Sequence, residues 1–178
     1  GMIWVATGFG LEMLSPDGIR EYDYEKSFLG VNYIIDLEIV NDENLWVASD
    51  QGVLKINTMT DNITRFSKSD SLPEPRRLSD NLIHDILPID DKVWVATGSG
   101  VVIIDTSSNN VINFSSDLIA RVITQDEEGD IWLGTEMDGL YRIPSKLLTN
   151  IINGQNFEIE GYVFDPDYPN GISSSQIT

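Results

Sequence analysis

The feature that most constrains this chain is a short phrase that occurs four times: a tryptophan between aliphatic residues, followed by a Gly–aliphatic pair. The copies centre on Trp4, Trp46, Trp94 and Trp132, which are all the tryptophans in the sequence. Their separations are 42, 48 and 38 residues. This period is typical of four-stranded propeller blades. The sequence therefore predicts an all-β repeat protein built from antiparallel β-propeller blades.

Each copy of the phrase predicts a strand that is apolar on both faces. In the second copy, Trp46 and Ala48 should point to one face, and Leu45 and Val47 to the other. A strand with one wet face would alternate apolar with polar residues. We therefore expect neighbouring blades to cover this strand on both sides. An indole at one fixed position per repeat indicates packing, so the four tryptophans are interpreted as structural residues.

Turn-forming residues divide the chain into blade-sized units. We letter the strands of a blade A to D, from the inner to the outer strand, and the tryptophan phrase is strand B. The predicted order is BCD, then ABCD three times, then the start of another strand A. A single domain, 1–178, is predicted, with these segments: 2–23 as a partial blade, 33–66, 82–114 and 118–164 as blades, and 176–178 as the start of a further strand.

Two details of this prediction concern the ends of the blades. Residues 144–150 interrupt the fourth repeat, and one helical turn with Pro144 at its first position is expected there. The outer strand of that blade is expected at 157–164. The strand Ile3–Thr7 lacks a strand A, and propellers usually close with four to eight blades. We therefore expect a partial propeller or a fragment of a larger one, and favour a homodimer through the chain ends over a self-closed monomer.

Composition and charge exclude several classes of function. The net charge is −18, which argues against binding nucleic acid or anionic lipid. No apolar run has the length of a membrane span, so direct membrane insertion is not expected. With no cysteine and one histidine, the chain offers no thiol nucleophile and no multi-histidine metal site. Neither a Gly-rich phosphate loop nor a Gly-x-Ser-x-Gly elbow occurs. We predict no metal, no cofactor and no enzymatic activity.

The repeated phrase, with the acidic turn Asp126–Asp130 before its fourth copy, resembles the two-component regulator propeller repeat. In that family such repeats form the periplasmic sensor region of hybrid two-component systems, common in gut bacteria that sense complex carbohydrates. The tail 162–173 is similar to the family's linker between blades. The resemblance implies a periplasmic, non-enzymatic sensor or interaction module. Its implied partners are a glycan or small molecule and the other blades or domains of a longer parent sensor.

Two other functions stay open at this stage. A propeller enzyme of the lyase type is one, although the only histidine, His84, would have to carry its chemistry. A purely structural scaffold or oligomerisation module is the other. The acidic turn Asp126–Asp130 has some likeness to a calcium loop, but it lacks the 12-residue ligand pattern and the closing glutamate. A hairpin turn explains it better.

The candidate binding residues come from the loops. Because strands alternate in direction, the D-to-A and B-to-C loops should emerge on one face of the propeller, and the A-to-B and C-to-D loops on the other. The second face should be acidic. The first should carry aromatic residues and arginines, which suits a sugar or a partner domain. Its candidate ligand-binding residues are Phe9, Arg76, Arg77 and Met137.

His84 completes the set of candidate ligand-binding residues. It lies on a predicted inner strand, where Leu82, His84 and Ile86 are expected to share one face. A structural role for this histidine is the favoured interpretation, and a binding role is the alternative.

Overall fold

The computed structural model consists mainly of antiparallel β-sheets. It describes residues 1–23, 29–31, 33–40, 43–115, 118–155, 159–163, 165, 167 and 172. These residues form four sheets in succession along the chain, and in each sheet the strands follow one another in sequence order. The prediction of all-β architecture with four-stranded antiparallel propeller blades is confirmed.

The first two sheets contain seven strands. Their bounds are β1 Ile3–Thr7, β2 Gly10–Ser15, β3 Gly18–Asp23, β4 Ile34–Val40, β5 Asn44–Ser49, β6 Gly52–Asn57 and β7 Ile63–Phe66. Within the described residues, the first sheet has three strands and begins with the tryptophan strand, as predicted. The second sheet is a complete blade, ordered from inner β4 to outer β7.

The third and fourth sheets contain eight strands. Their bounds are β8 Ile83–Ile89, β9 Lys92–Thr97, β10 Gly100–Asp105, β11 Val111–Ser115, β12 Ala120–Gln125, β13 Ile131–Thr135, β14 Leu140–Ile143 and β15 Glu160–Tyr162. The outer strand predicted at 157–164 is thus seen at its centre, and residues 157, 158 and 164 lie outside the described part. The strand predicted at 176–178 also lies outside the described residues.

Two short helical segments interrupt the strands. A 3-10 turn at Glu74–Arg76 lies between the second and third sheets. A second one, Ser145–Leu147, runs into helix α1, Leu148–Ile152. The helical turn expected at 144–150 is therefore present, although Pro144 precedes it rather than opening it. None of the helices in the described part of the chain has the length and apolar character needed to cross a membrane.

The tryptophan strands are buried on both faces, as their sequence predicts. Trp46 and Ala48 of β5 pack in one cluster with Val93 and Val95 of the next blade. Leu45 and Val47, on the opposite face of β5, pack in another cluster with Leu11 and Tyr22 of the preceding blade. The core is therefore a series of layers, each formed between the tryptophan face of one blade and the aliphatic face of the next.

Each tryptophan also contacts an aromatic residue of its own outer strand. Ring centroids lie 5.4–5.7 Å apart, within the range for stabilising aromatic pairs. The pairs are Trp4–Tyr22, Trp46–Phe66, Trp94–Phe114 and Trp132–Tyr162. The indole thus joins strand B to strand D across the surface of strand C.

The end of the repeated phrase closes the hairpin between strands B and C. In the second blade the Ser49 hydroxyl donates a 2.7 Å hydrogen bond to the carbonyl of Gly52, and Thr135 donates to Gly139 at 2.8 Å. Both glycines have positive φ, and a Cβ there would lie 2.2 Å from the Phe66 carbonyl oxygen or 2.4 Å from that of Tyr162. Glycine is therefore required where the outer strand crosses this turn.

The inner strands carry an extra residue that shifts their register. The shifts fall between Ile34 and Asp36, Ile83 and Asp85, and Ala120 and Val122. Such a bulge breaks the two-residue alternation of side chains. In β8 the buried aliphatic residues are consequently Ile83, Ile86 and Ile89, whereas Leu82, which precedes the strand, is exposed. The prediction that Leu82, His84 and Ile86 share one face is wrong for this reason.

Candidate functional site

Hydrogen bonds between loops define two faces of the blades. The Gly98 N–H in the β9–β10 turn donates to the carbonyl of Leu82, which precedes the inner strand. On the opposite side, the Thr106 N–H in the β10–β11 turn donates to the backbone carbonyl of Asp91 in the turn before β9. These contacts agree with the predicted grouping of the loops. We name the side with the β9–β10 turn the candidate face and the other side the acidic face.

A cluster of three charged or ionisable residues lies where the candidate face meets the inner strands. Arg121 Nη1 is 3.0 Å from His84 Nδ1 and 3.1 Å from His84 Nε2. Arg121 Nη2 also lies 2.8 Å from a carboxylate oxygen of Glu136. His84 and Arg121 are the extra residues of neighbouring inner strands, and Glu136 follows β13 directly. The bulges therefore bring side chains from two blades together at one point.

The electrostatics of this cluster keep the imidazole of His84 neutral. Burial of His84, and then the positive charge of Arg121, lower its pKa below the ordinary value, while Glu136 and Asp80 oppose that shift. A neutral imidazole has one donor and one acceptor nitrogen. At neutral pH the cluster therefore presents an arginine–glutamate pair beside an uncharged ring, which suits hydrogen bonding to a ligand.

A cleft of about 550 Å³ opens on the same face, farther from the inner strands. Its volume lies within the usual 300–1,000 Å³ of small-molecule sites. Its walls come from the connection between the second and third blades, from the β9–β10 turn and from the outer strand β11. The lining residues are mainly polar: Glu74, Arg77, Leu78, Ser79, Ser99, Asn113 and Ser115.

The wall of the cleft is held by Arg77 and Asp80. Arg77 donates from Nε to the carbonyl of Leu72 at 2.9 Å and from Nη2 to that of Asp70 at 3.0 Å. Asp80 accepts from the Leu82 N–H at 2.9 Å and from the Ser99 hydroxyl at 2.9 Å. These bonds, led by that from Leu82, lower the pKa of Asp80. The connection is thus ordered by its own side chains.

The site residues predicted from the sequence lie on the candidate face, but they do not form a single cluster. Arg77 lines the cleft, and Arg76 directly precedes it as the last residue of the 3-10 turn. His84 joins Arg121, and the exposed Met137 follows Glu136 in the same turn. Phe9 is exposed in the β1–β2 turn of another blade. The role of these five residues in ligand binding stays a prediction.

Sequence reasoning missed Arg121, Glu136 and Asp80. A signal for Arg121 exists in the spacing, because it stands eleven residues before Trp132, as Ile35 stands eleven before Trp46. His84 stands ten before Trp94. Aligned on the tryptophans, Arg121 and Ile35 share one position, but His84 falls one residue away, because the turn between β8 and β9 is one residue shorter than the turn between β4 and β5. Glu136 follows directly on the fourth phrase, but no motif marks it as part of a site.

Carboxylates also lie along the inner strands, away from the cleft. Asp85 accepts backbone hydrogen bonds from Ile86 at 3.0 Å and from Ile123 of the next blade at 2.7 Å. Burial raises its pKa, and the charge of Asp36 adds to the shift. The pKa of Glu38 is raised for the same two reasons. Over the described residues, no group of three or more such side chains is arranged to hold a metal ion.

The acidic turn before β13 is occupied by its own hydrogen bonds. Asp126 accepts from the backbone N–H of Asp130 at 2.9 Å and from the indole Nε1–H of Trp132 at 2.7 Å. Asp130 in turn accepts from Arg142 Nε at 2.8 Å and from the Ser145 N–H at 2.7 Å. These carboxylates hold the hairpin and the tryptophan, which supports the interpretation of this segment as a turn.

Comparison with known proteins identifies the class of fold. No family model and no curated protein matches the sequence. Among solved structures, the extracellular domain assigned to the hybrid two-component system BT3049 of B. thetaiotaomicron is 18% identical, with a TM-score of 0.72 over 98% of this chain and 22% of that one. The corresponding domain of BT4673 from the same organism is 15% identical, with a TM-score of 0.76 over 99% and 23%.

A third similar structure comes from a different system. PorZ, a surface component of the type IX secretion system of Porphyromonas gingivalis, is 13% identical, with a TM-score of 0.61 over 91% of this chain and 21% of that one. This chain therefore spans about a fifth of the length of these proteins. At such identities the likeness concerns the fold. The chain is a set of β-propeller blades, and it resembles the extracellular domains of hybrid two-component systems, as the repeated phrase indicated.

Proposed function

We propose that this chain is part of an extracytoplasmic sensor propeller, located in the periplasm, that binds its ligand without transforming it. Support comes from a likeness of fold that covers 98–99% of the chain and involves extracellular domains of hybrid two-component systems. Its partners would be a glycan or another small polar molecule and the remaining blades or domains of a longer sensor. The candidate face is the part of the blades that would meet the ligand.

The observation that carries this proposal is the set of polar residues along the candidate face. They include Arg77 at the cleft, Ser99 with its partner Asp80, and the His84–Arg121–Glu136 cluster. Hydroxyls, an amide and a paired arginine and glutamate provide both donors and acceptors. A saccharide presents the same mixture of donors and acceptors, and a mainly polar lining suits it better than an apolar ligand.

Binding is favoured over catalysis by how the charged groups are used. Arg121 is paired with Glu136, and Asp80 with a backbone amide and a hydroxyl. The pKa of Asp80 is lowered and that of His84 is lowered as well. A general acid or base for work near neutral pH would have its pKa moved towards that pH instead. These residues are better suited to orienting hydroxyl groups.

The experiment is a binding titration of the purified chain against soluble neutral and acidic oligosaccharides, followed by calorimetry. We expect binding of at least one of them and a loss of about tenfold or more in affinity in Glu136→Gln, the size expected for a charge-assisted hydrogen bond. Glu127→Gln is the matched control, since Glu127 is exposed on the acidic face. Equal losses in both variants would contradict a site on the candidate face.

The same titration separates binding from turnover. After incubation, the oligosaccharides should be recovered unchanged by mass spectrometry. Products that accumulate with the wild-type chain and disappear in His84→Gln would support the lyase-like alternative and contradict the proposal. Absence of binding by every sugar, combined with binding of a neighbouring domain of the parent sensor, would leave only an interaction role.

A further inference from the structure

The guanidinium of Arg121 lies over the face of the His84 ring rather than in its plane. Its Nη1 is almost equally far from the two ring nitrogens, 3.0 Å from Nδ1 and 3.1 Å from Nε2. An atom in the plane of an imidazole cannot take both distances without overlapping a ring carbon. The contact is therefore that of a cation over an aromatic face. The N–H and the lone pair of the imidazole, which both lie in the ring plane, are not used by it.

Both nitrogens of His84 are thus left for other partners. Among the described residues, neither nitrogen has a hydrogen-bond partner in the ring plane. The ring is neutral at pH 7, because burial and then the charge of Arg121 lower its pKa, against the opposing effects of Glu136 and Asp80. A neutral imidazole has one donor and one acceptor nitrogen. The half-buried His84 can therefore both donate to a ligand and accept from it.

The surroundings of His84 disfavour an anionic ligand. The charge of Arg121 is already balanced by Glu136, whose carboxylate lies 2.8 Å from Nη2. Asp80 adds a second carboxylate on this side, and its lowered pKa keeps it charged. A carboxylate or sulfate brought to Arg121 would meet these groups and the net charge of −18 of the whole chain, and like charges repel. A neutral ligand that carries hydroxyl groups meets no such repulsion.

Two exposed apolar side chains flank the cluster at equivalent positions of neighbouring blades. Leu82 directly precedes β8 and is 44% exposed, and Ile119 directly precedes β12 and is 37% exposed. The backbone carbonyl of each accepts a hydrogen bond from the B-to-C turn of its own blade, at 2.9 and 3.2 Å respectively. They stand two positions before His84 and Arg121. The candidate face therefore carries apolar contacts directly beside the hydrogen-bonding groups.

A pyranose sugar matches this combination of groups. Its hydroxyls lie around the edge of the ring and both donate and accept hydrogen bonds, whereas its C–H bonds form small apolar faces. Removing such a face from water against Leu82 or Ile119 is favourable, while a hydroxyl at the edge can reach a nitrogen of His84. Neither a simple anion nor a purely apolar molecule would use both kinds of contact.

We infer that His84 binds a neutral saccharide, with one ring nitrogen donating to a hydroxyl and the other accepting from one, and that protonation of His84 weakens this binding. This role rests on the proposed sensor function and narrows its ligand to one chemical class. Protonation removes the acceptor nitrogen and places a second positive charge beside Arg121. Because the pKa of His84 lies below its ordinary value of about 6.5, affinity is retained at pH 7 and falls as the pH drops through that pKa.

The arrangement of the ring can be tested without any ligand. His84 is the only histidine of the chain, so an NMR titration of its imidazole gives its pKa directly. Arg121→Gln should raise this pKa, because a positive charge over the ring is removed, and Glu136→Gln should lower it, because a negative charge is removed. Glu127→Gln, on the acidic face, should leave it unchanged. An unchanged pKa in Arg121→Gln would overturn the inference.

Calorimetry tests the class of ligand. The probes are three neutral tetrasaccharides, maltotetraose, mannotetraose and xylotetraose, and the acidic tetragalacturonate. We expect a neutral probe to bind at pH 7.5 and to lose about tenfold or more in affinity below the pKa of His84, the size of a lost hydrogen bond to a charged group. His84→Phe keeps a ring under Arg121 but removes both nitrogens. It should bind more weakly at pH 7.5 by a similar factor and show no further loss on acidification, with its fold checked by circular dichroism.

The results distinguish failure of this role from failure of the sensor proposal. Tighter binding of tetragalacturonate than of every neutral probe, or binding that strengthens on acidification, would overturn the role of His84 and leave the sensor proposal in place. A neutral probe that binds His84→Phe and the wild type equally well would do the same. If none of the saccharides binds while His84 titrates as expected, both the sensor proposal for glycans and this role are wrong.

Discussion

The carboxylate of Asp85 accepts a 2.7 Å hydrogen bond from the backbone N–H of Ile123, and this bond joins the inner strands of the third and fourth blades. The same side chain accepts a second bond from Ile86 of its own strand. Burial, with the nearby Asp36, raises the pKa of Asp85. The interface between these two blades therefore contains a carboxylate whose charged form is disfavoured in the folded state.

The pH dependence of stability should reveal this carboxylate. Because the folded pKa of Asp85 is raised, its favourable contribution is present below the unfolded value of about 4 and is lost as the pH rises through the folded value. The wild-type chain should therefore lose stability relative to Asp85→Asn between pH 4 and pH 7 in urea denaturation. Glu127→Gln serves as an exposed control. If the wild type instead gains stability relative to Asp85→Asn between pH 4 and pH 7, the pKa of Asp85 is not raised in the folded chain.

Burial of the tryptophans predicts unequal costs of truncation. Trp94→Ala removes an indole enclosed between two blades, and should lower the free energy of unfolding by about 3–5 kcal/mol. Trp4→Ala should cost less, because Trp4 lies on the first blade and is half-buried. Denaturation midpoints measured in urea compare the two variants. Equal shifts would contradict the order of blades described above.

The two-faced tryptophan strand could be predicted because its signal is local. Trp46 and Leu45 are neighbours in sequence, and a strand sends successive side chains to opposite faces. The four copies also fix the period, so the blade architecture follows from one phrase. The bulge at His84 could not be predicted in this way, because one extra residue leaves the local apolar pattern looking like an ordinary strand.

The candidate site was predictable only in part, for a related reason. Arg77 and Met137 were placed on one face from loop geometry alone. Arg121 and Glu136 lie 15 residues apart, on an inner strand and a turn, and they meet His84 only because two bulges coincide in space. No local pattern encodes a contact between different blades.

An ion pair on the acidic face should stabilise the folded chain at neutral pH. Lys92 is nearly buried and lies 3.0 Å from Asp105. The pKa of Asp105 is lowered, first by the bond from the Ser108 N–H and also by Lys92. Asp105→Asn should keep the turn, since Asn57 accepts the equivalent bonds in the second blade. The free energy of unfolding of the variant should be about 1.5–3 kcal/mol lower than that of the wild type at pH 7.

Acidification should reduce this difference. A lowered carboxyl pKa gives stability above the unfolded value of about 4, and that stability is lost as the pH falls through the folded value. Urea titrations of the wild type and Asp105→Asn at pH 7 and pH 3 measure the change. If the free energies of unfolding of the wild type and the variant differ by the same amount at both pH values, the ion pair is not the cause of that difference.

The glycine that ends the repeated phrase should resist substitution. Gly52→Ala would place a Cβ 2.2 Å from the Phe66 carbonyl oxygen at a positive φ, and should cost more than about 1 kcal/mol. Gly8→Ala is the matched control, because a Cβ there meets no atom within 4 Å. Thermal melts of both variants provide the comparison. A Gly52→Ala variant as stable as Gly8→Ala would show that the outer strand does not cross this turn.

The arrangement of blades is tested most directly by the accessibility of the four indoles. Four variants that each retain one tryptophan, with phenylalanine at the other three positions, can be compared by acrylamide quenching of fluorescence in the monomer. Trp46 and Trp94 are fully buried, and Trp4 and Trp132 are half-buried. We therefore expect weak quenching of the first two and clearly stronger quenching of the last two. Equal quenching of all four, or stronger quenching of Trp46 or Trp94 than of Trp132, would contradict the packing of each tryptophan face under the next blade.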